Sequence, residues 1–415
     1  MAENDYVIRV LDAPGQVDGA AWNTLLALQD PDGGLNPFMR HEYLCAMHDS
    51  GSATPTTGWT PRFITLWHGD ELAGASALYL KDHSYGEYVF DHAWANAYHQ
   101  HGLSYYPKAL VAPPFTPVPG PRLLARDSAA RLLLVKALVA WCGEEGLSSL
   151  HLLFTSDADV VACEEAGLML RHNVQFHWTN ISTEIPVSSG NPRSFRDFDD
   201  FLMSLSQDKR KKIRQERRKV LDASVRFRWS LGKNITSADW DFFYSCYERT
   251  YYEHGNAPYL SRDFFQRMQE DMPENWLLFV GERNSIPIAT SLIAVSASRA
   301  GAAGQFGTES GAGIAYGRYW GATERVDCLH FEACYYQPLQ WCINHGYQRF
   351  EGGAQGEHKM ARALLPVKTT SAHWLAHPAF ADAVERFLER EGEGIEGYME
   401  ELERRNPFRQ ALKPA

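Results

Sequence analysis

Apolar and polar positions along the chain fall into a pattern that is laid down twice. Residues 63–67 and 72–80 are apolar runs separated by His68-Gly69-Asp70-Glu71, which predicts two antiparallel strands joined by a turn. The same arrangement returns at 276–280 and 288–295, with 281–287 as the turn. After each hairpin and a long irregular segment, the spacing predicts a helix and a further strand: 129–145 then 149–154, and 330–344 then 347–351. Gly146 and Gly346 close the two helices, where a residue tolerant of positive φ is expected. Trp141-Cys142 and Gly146 recur at the same internal spacing as Trp341-Cys342 and Gly346. Two rare residue types in one register favour an internal repeat over convergence on a common helix end. The pattern predicts an α/β (α+β) domain of about 150 residues built twice.

Between the copies, residues 188–192 are turn formers and read as a linker. A long helix is expected over 195–221, a strand over 225–230, and helices over 237–254, with Ser237 as its N-cap, and 262–272. Phe387, Ile395, Met399 and Leu402 form a sparse apolar stripe in the charged tail, as a surface helix or helix pair would. The expected domains are 1–187, 188–378 and a helical tail at 379–415.

Composition narrows the class. In 415 residues, 40 Lys+Arg against 51 Asp+Glu give a formal charge of -11, which argues against a protein that coats nucleic acid but allows a local basic patch. The seven cysteines are odd in number and never spaced Cys-x-x-Cys, a pattern of reduced thiols rather than of disulfides or zinc. The acidic N-terminus does not read as a secretion signal, and no run approaches the roughly 18 apolar residues of a membrane span. A cytoplasmic protein is expected.

Three segments carry candidate chemistry. In 81–108, His83, Glu87, Asp91, His92, Trp94, Tyr106 and Lys108 crowd together without a clear period, as in a concave binding site. Its histidine spacing matches no metal pattern, and no metal is expected. Five prolines in 113–121 stiffen the chain around Phe115, either as a connection or as a wall of the site. In 209–219 eight of eleven residues are basic: a solvated helix face, or a docking surface for phosphates. The third segment runs from Tyr316 to His358. Arg318, Gly321 and Ala322 read as a glycine-containing turn between a strand at 304–308 and a helix start, suited to an anion. Further on, a second glycine-rich turn delivers Glu357, His358 and Lys359 together at a strand end, as acid–base chemistry requires. Cys142 and Cys342, late in apolar helices, read as core.

Taken in order, these segments resemble a bacterial family of N-acyltransferases, the FemAB-like proteins of "peptidoglycan biosynthesis/recognition", within the GNAT superfamily. The motifs are HSYGEYVFDHAWA, YYPK, PFTPVPGPRLL, DKRKKIRQERRKV, GRYWG, LHFEACYYQ and FEGGAQGEHKMAR, spread over about residues 36–387. The resemblance implies two tandem GNAT-like domains with mixed, mainly antiparallel sheets. It also implies acyl transfer to an amine, from acyl-CoA or aminoacyl-tRNA, with a tRNA partner reached through 209–219. GRYWGA falls where GNAT enzymes place their pyrophosphate loop, with Thr323 departing from the pattern at its last position. By this reading Tyr316, Gly317, Arg318, Trp320, Gly321, Ala322, Lys359 and Arg362 hold the donor, and Glu357, His358 and Glu332 serve as base or orient the amine. The 81–108 cluster with Phe115 shapes the acceptor pocket, and Glu87 and Asp91 suit a cationic acceptor. The alternative is a GNAT-like module that binds a peptide or peptidoglycan ligand without turnover.

Overall fold

The computed structural model describes residues 6–29, 34–182, 193–296, 313–353 and 356–409. The linker expected at 188–192 and the strand expected at 304–308 lie outside the described residues. The first unit opens with β1 (Tyr6–Leu11), α1 (Gly19–Gln29) and α2 (His41–Asp49). The expected hairpin follows as β2 (Trp59–His68) and β3 (Glu71–Lys81), turned at Gly69 with φ of 60°. Then come α3 (His92–Gln100), β4 (Lys108–Val111), β5 (Leu124–Ala125), α4 (Ser128–Glu144), β6 (Ser149–Thr155), α5 (Asp157–Glu165) and β7 (Met169–Thr179). Asp127 starts α4 by accepting from the Ala130 amide, and Gly146, at φ 66°, ends it.

The second unit begins with α6 (Phe198–Ser204) and α7 (Gln207–Asp222), followed by β8 (Val225–Leu231), α8 (Ser237–Glu253) and α9 (Arg262–Asp271). Its hairpin is β9 (Trp276–Arg283) and β10 (Ile286–Val295), and β11 (Ile314–Ala322) lies beside it. α10 (Leu329–Phe331) runs through a π-helical turn (Glu332–Tyr336) into α11 (Gln337–Asn344). β12 (Arg349–Glu351), β13 (Leu365–Leu375) and α12 (Pro378–Arg404) complete the chain.

The duplication is present, and the two units share one sheet. The strand order is β1-β2-β3-β4-β6-β13-β7-β12-β11-β10-β9-β8, with β5 beside β3. Each unit gives its last strand to the other: β13 pairs with β6, and β7 pairs with β12. His373 stands opposite His151, and Glu351 stands opposite His177. His151 and Glu351 each follow the repeated tryptophan by the same interval, so the two exchanged pairs occupy equivalent positions. The largest core also joins the units, packing Trp22, Phe38 and Phe63 with Trp240, Phe264 and Trp276. Cys142 and Cys342 are buried in the cores beneath α4 and α11, as expected. Burial pushes the Cys142 thiol up to about 12.

The helix expected over 195–221 divides at Leu205, whose ψ of 157° is extended. The break lets Phe198, Phe201, Leu202 and Leu205 all enter one core. The N-cap of α8 is Thr236 rather than Ser237, because the Thr236 hydroxyl accepts from the Asp239 amide. The tail is one helix.

Candidate active site

β11 and β12 run parallel only where residues 314–316 meet 349–351, and beyond that they part. A β-bulge marks the parting. Leu292 lies opposite Tyr319 and Ile293 opposite Gly317, leaving Arg318 as the extra residue. Bulges re-aim side chains, and single π turns loosen a helix at the same kind of place. Together they open a cavity of about 120 Å³ lined by Ser291, Arg318, Tyr319, Trp320, His330, Cys334, Tyr335, Phe350 and the backbone of Gly317 and Gly352. In the first unit, the chain after β4 folds back into the equivalent position. Gly120 bridges Thr155, and the buried Arg122 donates to the Leu153 carbonyl. The rigid segment at 113–121 is therefore a filling, and none of its residues is among those lining the cavity.

The histidines around the cavity are held neutral, and the lysine beside them is brought down toward neutral pH. His330 packs between Trp320 and Tyr335, with ring centroids at 5.3 and 5.8 Å. Burial, then the neighbouring basic groups His358, Arg362 and Lys359, bring its pKa down to about 4. The His358 Nε2 lies 3.2 Å from the Tyr335 hydroxyl. Its pKa is lowered by burial, then by Lys359 and Arg362. Lys359 is buried, donates to the Gly353 carbonyl at 2.9 Å, and is brought down to about 8 by desolvation. Arg362 fixes this turn: it donates to both Glu216 oxygens and to the His358 carbonyl, and its guanidinium lies 3.4 Å from the Phe331 ring centre.

Two larger depressions flank the cavity. A cleft of about 570 Å³ is lined by Ser84, Tyr85, Gly86, Tyr88, Phe90 and His92 of the first unit, and by Tyr259 and Lys359 of the second. Phe115 stacks on Tyr259 at 4.7 Å, and Arg318 donates to the Phe115 carbonyl at 2.8 Å, binding the bulge to the proline-rich segment. A groove of about 500 Å³ carries Arg214, Arg217, Arg218 and Arg226, with Glu332 and Gln337 at its inner edge.

Several expected residues stand elsewhere or for other reasons. GRYWGA is not a loop; it is strand within β11, with alternate amides in the ladder with β10 and the others facing the edge from which β12 has parted. A side chain on Gly321 would lie 2.2 Å from the Cys246 carbonyl oxygen, so this glycine lets α8 pack on the strand. Tyr316 is core, Ala322 ends the strand, and the link to α10 is Thr323 to Cys328. Glu357 is exposed and clasped by Tyr398 at 2.7 Å and Arg405 at 3.0 Å of the tail. Those donors lower its pKa, so it stays an anion tying the turn to α12. Glu332 is buried against Arg217 and Gln337 and faces the basic groove, not the cavity. Glu87, Asp91 and Lys108 form an interior ion triad rather than a cleft wall for a cationic acceptor, because Lys108 has no exposed surface and takes both carboxylates. Trp94 packs edge-on against His373, Tyr106 bonds Ser84, and His83 sits beside Asp82. Of that cluster, His92 lines the cleft. The sequence reading did not single out Ser291, Cys334, Tyr335, His330, Tyr88 or Tyr259. For His330 and Tyr335, the available signal was their place in the first turns of the helix after β11.

A test of the strand packing is direct. Gly321→Ala should cost about 3 kcal/mol, the upper part of the range for overpacking, because the clash is with backbone. Gly317→Ala, whose added carbon would crowd the movable Phe350 ring at 3.0 Å and meet the Glu351 carbonyl at an ordinary 3.5 Å, should cost about 1 kcal/mol. Urea unfolding of both variants reads the difference.

A family model described as peptidoglycan biosynthesis/recognition, FemAB-like, matches residues 14–410. No curated protein sequence matches the chain. Among solved structures, a C-terminal domain described as lysylphosphatidylglycerol synthetase from Agrobacterium fabrum is similar at a TM-score of 0.51 and 9% identity, over 89% of this chain and 94% of that one. FemX is similar at 0.50 and 10%, over 89% and 98%. L-PGS from Bacillus licheniformis is similar at 0.51 and 10%, over 91% and 98%. At such identities the likeness is one of fold. No helix among the described residues is long and apolar enough to cross a membrane.

Proposed function

Because the chain belongs to the FemAB-like family of peptidoglycan biosynthesis/recognition proteins, we propose that it transfers an aminoacyl group from aminoacyl-tRNA to an amine acceptor of the cell-wall-precursor type. Family membership makes it a transferase of acyl or aminoacyl groups. The choice of donor rests on one observation: the basic groove beside α7 and the candidate cavity share the π-helical turn, with Glu332 at the groove and Cys334 and Tyr335 at the cavity. A polyanion lying in the groove brings its acylated end to the parting of β11 and β12.

In this reading the first unit supplies the acceptor side through the aromatic cleft, and the second supplies the donor side. The acceptor arrives as an ammonium and must lose a proton before its nitrogen attacks the ester carbonyl. His358, neutral because its pKa is lowered and held by Tyr335, takes that proton. Lys359, protonated below about pH 8, donates to the carbonyl oxygen as charge develops there. Attack forms the C–N bond and a tetrahedral oxyanion; collapse breaks the ester C–O bond as His358 returns its proton to the departing ribose oxygen, and the second proton leaves the nitrogen to solvent.

The assay is a single-turnover label transfer with the purified chain, cell-wall precursors, and either charged tRNA or labelled acyl-CoA. Label should move from the tRNA; movement only from acyl-CoA, or from neither, would overturn the reading. The basic helix α7, which carries the groove's Arg214, is tested separately with Lys211, Lys212 and Arg214 all changed to Gln. Their loss should make the log–log salt dependence of tRNA binding shallower by about 2. Unchanged affinity would mean that α7 is only solvated.

A further inference from the structure

Among the described residues, Arg318 has no acidic partner. Elsewhere Arg40 pairs with Glu42 and Glu274, Arg171 with Glu391, and Arg362 with Glu216, while the buried Arg122 donates to the Leu153 and Val118 carbonyls but feels the charges of Asp159 and Glu351. Around Arg318 the interacting groups are the hydroxyls of Tyr319, Tyr88 and Tyr43, and its hydrogen bonds run to the Phe115 carbonyl and the Thr116 hydroxyl. The rings of Phe38 and Tyr319 lie 5.3 and 5.1 Å from its guanidinium carbon. Aromatic faces steady the cation, yet they neutralise no charge. Its Nε is buried without a hydrogen-bond partner, and the residue lines the cavity. A guanidinium placed in this way lacks one component, an oxyanion, which it would bind with charge-assisted hydrogen bonds.

Size and surroundings define that oxyanion. The cavity of about 120 Å³ is smaller than a space known to hold benzene, about 150 Å³. It accepts a carboxylate-sized terminus and excludes a nucleotide. The aromatic cleft adjoins it at two points: Tyr88 lines the cleft and acts on Arg318, and the Lys359 stem packs beside Gly352 of the cavity wall. No carboxylate lines either space among the described residues, so neither is built to receive a purely cationic molecule.

We infer that the acceptor is an amine that also carries a free carboxylate, an amino acid or a peptide terminus, and that Arg318 binds this carboxylate at the β11 bulge. The inference rests on the proposed transfer for the word acceptor, but its test does not require turnover. Glycylglycine and glycylglycinamide are titrated calorimetrically into the full chain. The free acid should bind at least tenfold more tightly than the amide, and Arg318→Gln should erase the difference. Equal binding of acid and amide, no binding of either, or a preference that survives in Arg318→Gln would overturn the inference. Should that variant fail to fold, the wild-type comparison of acid with amide still decides. Aminoacyl transfer from tRNA without acid preference would sink this inference alone, whereas acid preference without transfer would sink only the proposed reaction.

Discussion

Lys108→Met should destabilise the protein by about 3–5 kcal/mol, the range for removing one partner of a buried ion pair. The Lys108 ammonium has no exposed surface; it lies 2.7 Å from Glu87, 2.8 Å from Ser84, and in contact with Asp91. Burial drives the Asp91 carboxyl up, but Lys108 and the Tyr105 hydroxyl together hold it well below the ordinary carboxylate range. Glu87, less closely held, is pushed by burial to about 7. Without the ammonium both carboxylates must be buried as bare anions or take protons. The sign of the pH dependence follows. In the wild type, Asp91 contributes stability that is present above its unfolded pKa and lost as pH falls through its depressed folded value. In the variant the carboxyls have raised folded pKa values, so stability grows as pH falls and the deficit is larger at pH 8 than at pH 5.5. Adding Glu87→Gln and Asp91→Asn to Lys108→Met should recover part of the loss. Urea unfolding at the two pH values checks this; a deficit independent of pH would refute the ion-triad account. The triad also continues through Tyr105 and His151 to His373 on the exchanged strand β13. The loop at the cleft is thus anchored to the other unit.

That triad also shows where sequence reasoning reaches its limit. Glu87, Asp91 and Lys108 were legible as a polar cluster with a purpose beyond solvation, but a residue list does not tell whether such groups face a cleft or one another. The duplication was legible because Trp-Cys and Gly repeat in register within local elements. The exchange of β7 and β13 was not, because it pairs strands nearly two hundred residues apart, as His172 with Thr370 does. β13 itself carries Lys368, Thr369, Thr370, Ser371 and His373, a polar interior that fits a strand only once its partner strands are known. Arg318 was singled out for a loop; it matters at a bulge, which depends on the register between two strands. Glu357 and Glu332 were chosen for their chemistry, and their neighbours Arg405 and Arg217 settle that both are anchors. His358 and Lys359 lie together on the turn after β12, because a short turn after a strand leaves few directions for consecutive side chains.

His358→Gln should therefore lower the rate of the transfer step by about 10²–10⁴-fold, the usual contribution of a positioned base, with little change in tRNA affinity. The exposed side of His358 keeps it within reach of an incoming amine, while the Tyr335 hydroxyl at 3.2 Å fixes its ring. Tyr335→Phe removes only that neutral hydrogen bond and should slow transfer by roughly tenfold or less. The pH profile separates base from scaffold. In the wild type the rate should rise as pH climbs through the lowered pKa of His358, because only the neutral ring accepts a proton. It should fall again through about pH 8 as Lys359 loses the charge that it presents to the carbonyl oxygen. Lys359→Arg keeps a cation at higher pH and should move the upper limb alkaline, while His358→Gln should abolish the lower limb and leave the upper one. Single-turnover rates from pH 5 to 9 measure all three. A His358→Gln enzyme that retains both the full rate and the acid limb would place the proton acceptor elsewhere, with His330 next in line because it lines the cavity beside Tyr335 and is neutral above about pH 4.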